Sequence, residues 1–120
     1  MARSSAARLG AALFWVFAGV MHFVIPRQYE AIVPPSIARW KREAVVVSGV
    51  AEIAGGLAIL PDNTRRGARW WLLATLGAVY PANIHMAVNS KDFARIPPAA
   101  LWARLPVQFL FGWMTWRATR

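Results

Sequence analysis

The sequence predicts an all-α membrane protein, a four-transmembrane-helix bundle with short interfacial helices after two Pro-Pro links. Two observations support this fold class. Hydrophobic residues make up 58% of the 120 positions and include seven Trp, and four apolar runs alternate with short polar links. A soluble domain of this length could not bury so much apolar surface, whereas a bilayer accepts it. We therefore expect residues 1–120 to form one transmembrane domain with the lipid bilayer as its partner.

The four predicted spans are bounded by prolines and charged residues, and each approaches the length of about 20 residues that crosses a hydrocarbon core. Pro26 stops the first run and Pro61 the second. The predicted spans are 9–25, 44–60, 70–88 and 99–116. After Pro34-Pro35 and after Pro97-Pro98 we expect a short helix whose Trp lies at headgroup level.

Two landmarks recur at the same spacing along the chain. His22 precedes Pro34 by 12 residues, and His85 precedes Pro97 by the same 12. A duplicated helical hairpin would produce this pattern and would relate the two halves by an axis along the membrane normal. Two matched landmarks can also arise by chance, so the sequence does not decide whether the chain contains a duplicated hairpin.

The charge distribution indicates contact with lipid headgroups. Fourteen basic residues oppose five acidic ones, for a net charge of +9. They lie between apolar runs and do not form a patch on a polar domain, which favours anionic lipid over nucleic acid. Four spans put both termini on one side. Basic residues divide evenly between the sides, but Arg3 and Arg8 precede the first span and favour cytoplasmic termini.

Polar side chains inside the apolar runs are the candidate functional residues, because such groups are costly within a bilayer. Their predicted depths converge on the half of the protein away from the termini. The set is Ser48, Glu52, His22, Asn83, His85, Arg104 and Gln108. Glu52, roughly 12 Å below the start of its span, needs a partner, which could be Arg104, His22 or His85.

Three interpretations of this polar cluster remain open: a helix clamp, a ligand or proton site, and a protonated Glu52 that faces lipid. Two His and one carboxylate could also bind a metal or haem, but no tight ligand motif is present, so we expect no metal. No phosphate-binding glycine loop or nucleophile elbow appears. We therefore expect no self-contained catalytic site.

Several stretches together resemble the DoxX-like family of small bacterial four-helix integral membrane proteins. The matching stretches are Gly19-Val20-Met21-His22-Phe23-Val24-Ile25-Pro26 with Tyr29 and Ile32-Val33-Pro34-Pro35, Ser48-Gly49-Val50-Ala51-Glu52-Ile53-Ala54-Gly55-Gly56, Pro81-Ala82-Asn83-Ile84-His85-Met86, and Arg104-Leu105-Pro106-Val107-Gln108. The resemblance implies a multi-pass protein of the bacterial inner membrane.

The family is named for a subunit of a thiosulfate:quinone oxidoreductase. The resemblance therefore implies the membrane component of a redox-linked system, with a polar pocket for a small amphipathic ligand such as a quinone. A partner protein would supply electrons, and Glu52, His22 and His85 would supply protons. The chain has no cysteine, which excludes sulfur transfer on its own thiols. The alternatives are a structural or assembly subunit without a ligand, and a small transporter.

Overall fold

The computed structural model describes residues 2–31, 33, 35–89 and 97–120. The described chain is helical almost throughout. Its elements are α1 (Ala2–Val24), α2 (Pro26–Ala31), a 3₁₀ helix (Pro35–Trp40), α3 (Lys41–Ala58), α4 (Asp62–Val88) and α5 (Pro98–Ala118). Parts of both predicted links lie outside the described residues, so the predictions for them are untested. These parts are Ile32, Pro34 and residues 90–96.

Prolines mark the starts of three α-helices. Pro26 opens α2 directly after α1, Pro61 precedes α4 with extended backbone, and Pro98 opens α5. Proline has no backbone N–H, and the first turn of a helix is the place where that donor is not needed. Pro81 and Pro106 lie inside α4 and α5, and both helices continue through them.

The four long helices pack in a ring in which α1 and α4 each contact both α3 and α5. At the end of the ring that holds both chain ends, Trp15, Ile59 and Leu72 are buried in one apolar cluster. The Trp15 indole donates a hydrogen bond of 3.0 Å to the Thr115 hydroxyl and so joins α1 to α5. Arg8 donates to the carbonyl of Arg120, which brings the two chain ends together.

Glycines allow α1 and α3 to pack closely. A Cβ atom added at Gly19 would lie 2.6 Å from the carbonyl oxygen of Gly49. A Cβ atom added at Gly56 would lie 2.9 Å from the Cβ of Trp15. Small residues at a helix crossing let the backbones approach in this way.

The prediction of a four-transmembrane-helix bundle is wrong. Among the described helices, two are long and apolar enough to cross a membrane: α1 over Ser5–Val24, and α4. Only 28% and 22% of these stretches is buried within the protein, so both present an apolar surface outward. The other two long helices are too polar. α3 begins three residues earlier than the predicted span and includes three more charged residues, and α5 carries Arg104, Gln108 and Arg117.

The expected interfacial helices are only partly present, and the two halves differ. A 3₁₀ helix does follow the first Pro-Pro link, and α3 starts directly after it at Lys41. At the second link, Pro98 itself opens α5, and Trp102 lies within that long helix. Among the described residues, no separate short helix precedes α5, so the two-hairpin repeat lacks its matching element.

Candidate functional site

A cavity of about 430 Å³ lies between the four long helices and is also lined by α2 and the 3₁₀ helix. Its wall combines hydrogen-bonding groups with aromatic and aliphatic side chains. The polar lining residues are His22, Tyr29, Ser36, Ser48, Glu52, Thr75, Asn83, Arg104 and Gln108. The larger apolar lining residues are Phe14, Trp15, Leu76, Val79 and Phe111. Cavities of this size and mixed character are typical of small-molecule sites.

The cavity has a polar end and an apolar end. Along α5 its lining residues run from Arg104 through Gln108 to Phe111. At a rise of 1.5 Å per residue, the first and last of these lie roughly 10 Å apart along the helix axis. Along α1, in the opposite chain direction, the lining changes from His22 to Trp15. A molecule with a polar head and an apolar body matches this gradient.

His22 and Glu52 form a buried pair across the α1–α3 crossing. The Nε2 atom of His22 lies 3.0 Å from Oε2 of Glu52, and both residues are less than 9% exposed. The other ring nitrogen, Nδ1, lies 2.8 Å from the carbonyl oxygen of Ala18. A carbonyl oxygen only accepts, so Nδ1 carries a proton and donates it.

This arrangement favours one shared proton in the pair. With Nδ1 protonated, a proton on Nε2 or on Oε2 removes the repulsion that two bare acceptors at 3.0 Å would have, although Oε2 of Glu52 is not in hydrogen-bond geometry with any described residue. The proton lies either on His22, beside a carboxylate, or on Glu52, beside a neutral ring. In both arrangements the pair has no net charge.

Tyr29 covers the outer face of this pair from α2. Its ring stacks on the His22 ring, with centroids 4.0 Å apart and an interplanar angle of 22°. Burial raises the pKa of the Tyr29 phenol, and the nearby Glu52 carboxylate raises it further, while the Arg104 guanidinium acts in the opposite direction. The phenol is therefore neutral at ordinary pH and serves as a hydrogen-bond donor or acceptor at the cavity wall.

Several polar groups on the wall have no protein partner. The Oε1 atom of Gln108 is buried without a hydrogen bond to any described residue. The side chain of Asn83, on a residue only 5% exposed, likewise makes no hydrogen bond within the described chain. Arg104 is an exposed residue of the wall, and within the described chain its side chain reaches only the Met86 sulfur, at 3.6 Å. Buried polar groups are normally satisfied, so the amides of Gln108 and Asn83 are available to bind a molecule in the cavity, and the guanidinium of Arg104 is available because it faces solvent.

Six of the seven residues singled out from the sequence line this one cavity, and His85 does not. His85 follows Asn83 by two residues, which turns it by about 200° to the other side of α4. It accepts a hydrogen bond of 3.0 Å at Nδ1 from Asn89 instead. Of the three partners considered for Glu52, the structure selects His22. Ligand binding by these residues remains a prediction.

Trp15 and Tyr29 are among the lining residues that were not predicted as site residues. Trp15 is seven residues before His22, a spacing that puts both on one face of α1, so the sequence carried a signal for it. Tyr29 reaches His22 only because the chain turns into α2, which helical spacing does not predict. In the part of the chain that the structure describes, no group of three His, Asp or Glu side chains could hold a metal ion.

Comparison with known proteins identifies the family but not an activity. A family model described as "Domain of unknown function (DUF8561)" matches residues 9–119. No curated protein and no solved structure matches the chain. Because the family model covers nearly the whole chain, the protein belongs to this family of domains of unknown function.

Proposed function

We propose that this protein binds a small amphipathic molecule in its central cavity, as the membrane component of a redox-linked system. The observation that supports the proposal best is a cavity of about 430 Å³ with unpartnered polar groups at one end and aromatic side chains at the other. A quinone is the example that the DoxX-like resemblance implies. Its carbonyl oxygens could accept hydrogen bonds from the NH₂ groups of Asn83 or Gln108, the hydroxyl of its reduced form could donate to the unpartnered Oε1 of Gln108, and its ring would contact Phe111.

The proposal includes residence in a bacterial inner membrane, with the apolar faces of α1 and α4 against lipid and both chain ends on the cytoplasmic side. Large apolar side chains are exposed along the helices, among them Phe17 at 66% and Phe109 at 70%. An apolar surface of this kind is typical of regions that contact lipid or another protein. The contact between Arg8 and Arg120 favours chain ends on the same side. Alkaline extraction of cell membranes tests this part, since an integral protein stays with the lipid.

A structural role without a ligand is the second candidate, and one observation favours it. His22 and Glu52 are paired across the crossing of α1 and α3, as a helix clamp requires. Breaking a buried pair by removing one partner typically costs about 3–5 kcal/mol. A clamp alone, however, does not account for the unpartnered oxygen of Gln108.

The test is mass spectrometry of an organic extract from protein purified in a mild detergent, with three variants in parallel. Gln108→Leu keeps the side-chain volume and removes an unpartnered buried oxygen, so it should fold normally and lose the ligand. Glu52→Ala should lose both ligand and stability. His85→Ala is the control, because His85 lies outside the cavity wall and its loss should leave ligand content unchanged.

The two candidate roles predict different results. A small amphipathic molecule that co-purifies with the wild type and with His85→Ala, but not with Gln108→Leu, supports the binding site. No co-purifying molecule, together with a large loss of thermal stability in Glu52→Ala only, would support the clamp and would refute the binding proposal.

A further inference from the structure

We infer that the ligand of this cavity carries an oxyanion head, a carboxylate or a phosphate, on an apolar tail, and that Arg104 binds the head. This inference rests on the proposed function and specifies the ligand class of the same site. It follows from the charge of the cavity, from the position of Arg104 and from the direction of the polarity gradient.

Arg104 supplies a positive charge on the cavity wall, on an exposed residue, that no carboxylate of the described chain neutralises. Four of the lining side chains are ionisable types: His22, Tyr29, Glu52 and Arg104. The contacts of both ring nitrogens favour one shared proton in the His22–Glu52 pair, which is then neutral overall. Tyr29 is neutral at ordinary pH. Arg104 is permanently charged, and among the described residues no carboxylate lies within ion-pair distance of it.

Arg104 has the chemistry and the neighbours of an anion site. Within the described residues its side chain bonds to one group, the Met86 sulfur at 3.6 Å, which is a weak acceptor, so most of its five N–H donors are available. Guanidinium groups bind carboxylates and phosphates through paired, charge-assisted hydrogen bonds. The Gln108 side chain lies one turn further along α5, and its NH₂ group can donate to the same head, while its Oε1 can accept from a protonated oxygen of that head.

The rest of the cavity specifies an apolar tail. Beyond Gln108 the wall becomes aromatic and aliphatic, with Phe111 on α5 and Phe14 on α1. These two rings contact each other, with centroids 4.7 Å apart, at that end of the cavity. A neutral quinone would fill the same space but would offer the exposed Arg104 guanidinium no bond between two charged groups, whereas an oxyanion would. The structure therefore favours a single-tailed anion over a neutral ring.

The experiment compares probes that share one tail and differ in the head: decanoate, decyl phosphate, decanol and a neutral decyl quinone. The intact protein in a nonionic detergent is titrated with each, and the rise of its thermal unfolding midpoint gives an apparent Kd. The same titrations are run on Arg104→Gln and on Arg104→Lys. Each probe partitions into micelles equally for all three proteins, so the ratio between proteins reports on the site.

We expect decanoate or decyl phosphate to bind the wild type more tightly than decanol does. Arg104→Gln should weaken anion binding by roughly tenfold or more, because it removes charge-assisted hydrogen bonds. Arg104→Lys keeps the charge and should retain part of the preference. Which anion binds more tightly separates a carboxylate ligand from a phosphate ligand, and either result supports the inference.

Two results would overturn it, and they are distinguishable. If decanol or the quinone binds the wild type as tightly as the anions, or if Arg104→Gln keeps the preference for anions, the inference fails but an amphipathic ligand still occupies the cavity. If no probe stabilises the wild type, both the inference and the proposed binding function fail.

Discussion

Substitution of Gly19 by Ala tests the close packing that brings His22 and Glu52 together. The new Cβ would lie 2.6 Å from the carbonyl oxygen of Gly49 and 3.0 Å from the backbone nitrogen of Ile53. Backbone atoms cannot swing away as a flexible side chain can, so α1 and α3 must separate. Going from 2.6 Å to an ordinary contact of 3.4 Å requires a separation of about 0.8 Å along that line.

A matched control is available on the same helix. A Cβ at Gly10 would have no atom within 4 Å. Both substitutions gain about 0.5–1 kcal/mol from helix propensity, and this gain cancels when the variants are compared. Overpacking costs about 1–3 kcal/mol, so Gly19→Ala should be less stable than Gly10→Ala by that amount. The same movement would lengthen the 3.0 Å contact between His22 and Glu52 beyond hydrogen-bonding range.

The measurement is unfolding by circular dichroism in a nonionic detergent, under identical conditions for the wild type and both variants. A difference of this size should lower the unfolding midpoint of Gly19→Ala by several degrees relative to Gly10→Ala. An unfolding midpoint for Gly19→Ala equal to or above that of Gly10→Ala would refute the reasoning, because the helices would then have room for the extra methyl group.

Two further predictions concern Tyr29 and Arg69. Ultraviolet titration of a Tyr80→Phe variant should show Tyr29 ionising above the ordinary tyrosine pKa. Adding Glu52→Gln should lower the pKa of Tyr29, because the substitution removes the carboxylate that raises it. An unchanged titration midpoint would contradict the contribution of Glu52. Because the pKa is raised in the folded protein, stability should fall as pH rises past the unfolded pKa. Arg69 donates to both the hydroxyl and the carbonyl of Thr119, so Arg69→Gln should lower the free energy of unfolding by about 1–3 kcal/mol. The control Arg66→Gln changes an exposed residue and should lower it hardly at all. Equal losses of unfolding free energy in chemical denaturation would argue against the Arg69–Thr119 link.

The sequence was informative about helices and about the depth of polar residues, because both depend on spacing along one chain. The four long helices coincide with the four apolar runs, to within a few residues except at two N-termini: α1 starts at Ala2 and α4 at Asp62. The charged start of α3 and the polar residues Arg104, Gln108 and Arg117 of α5 explain why the number of membrane spans was wrong. The apolar runs were delimited by hydropathy alone, whereas the helices extend into neighbouring charged residues, which are favourable in a first turn and lower the mean hydropathy of the whole helix.

Along each single helix, the sequence by itself determined which residues could form the site. Polar groups in apolar runs are rare and costly, and six of the seven chosen on that ground line one cavity. Only the tertiary structure decided their partners. Glu52 meets His22 because Gly19 and Gly49 let two backbones touch, and His85 is turned away by two residues of helical rotation. Contacts between helices depend on crossing position and rotation, and these arise from packing among residues far apart in the chain.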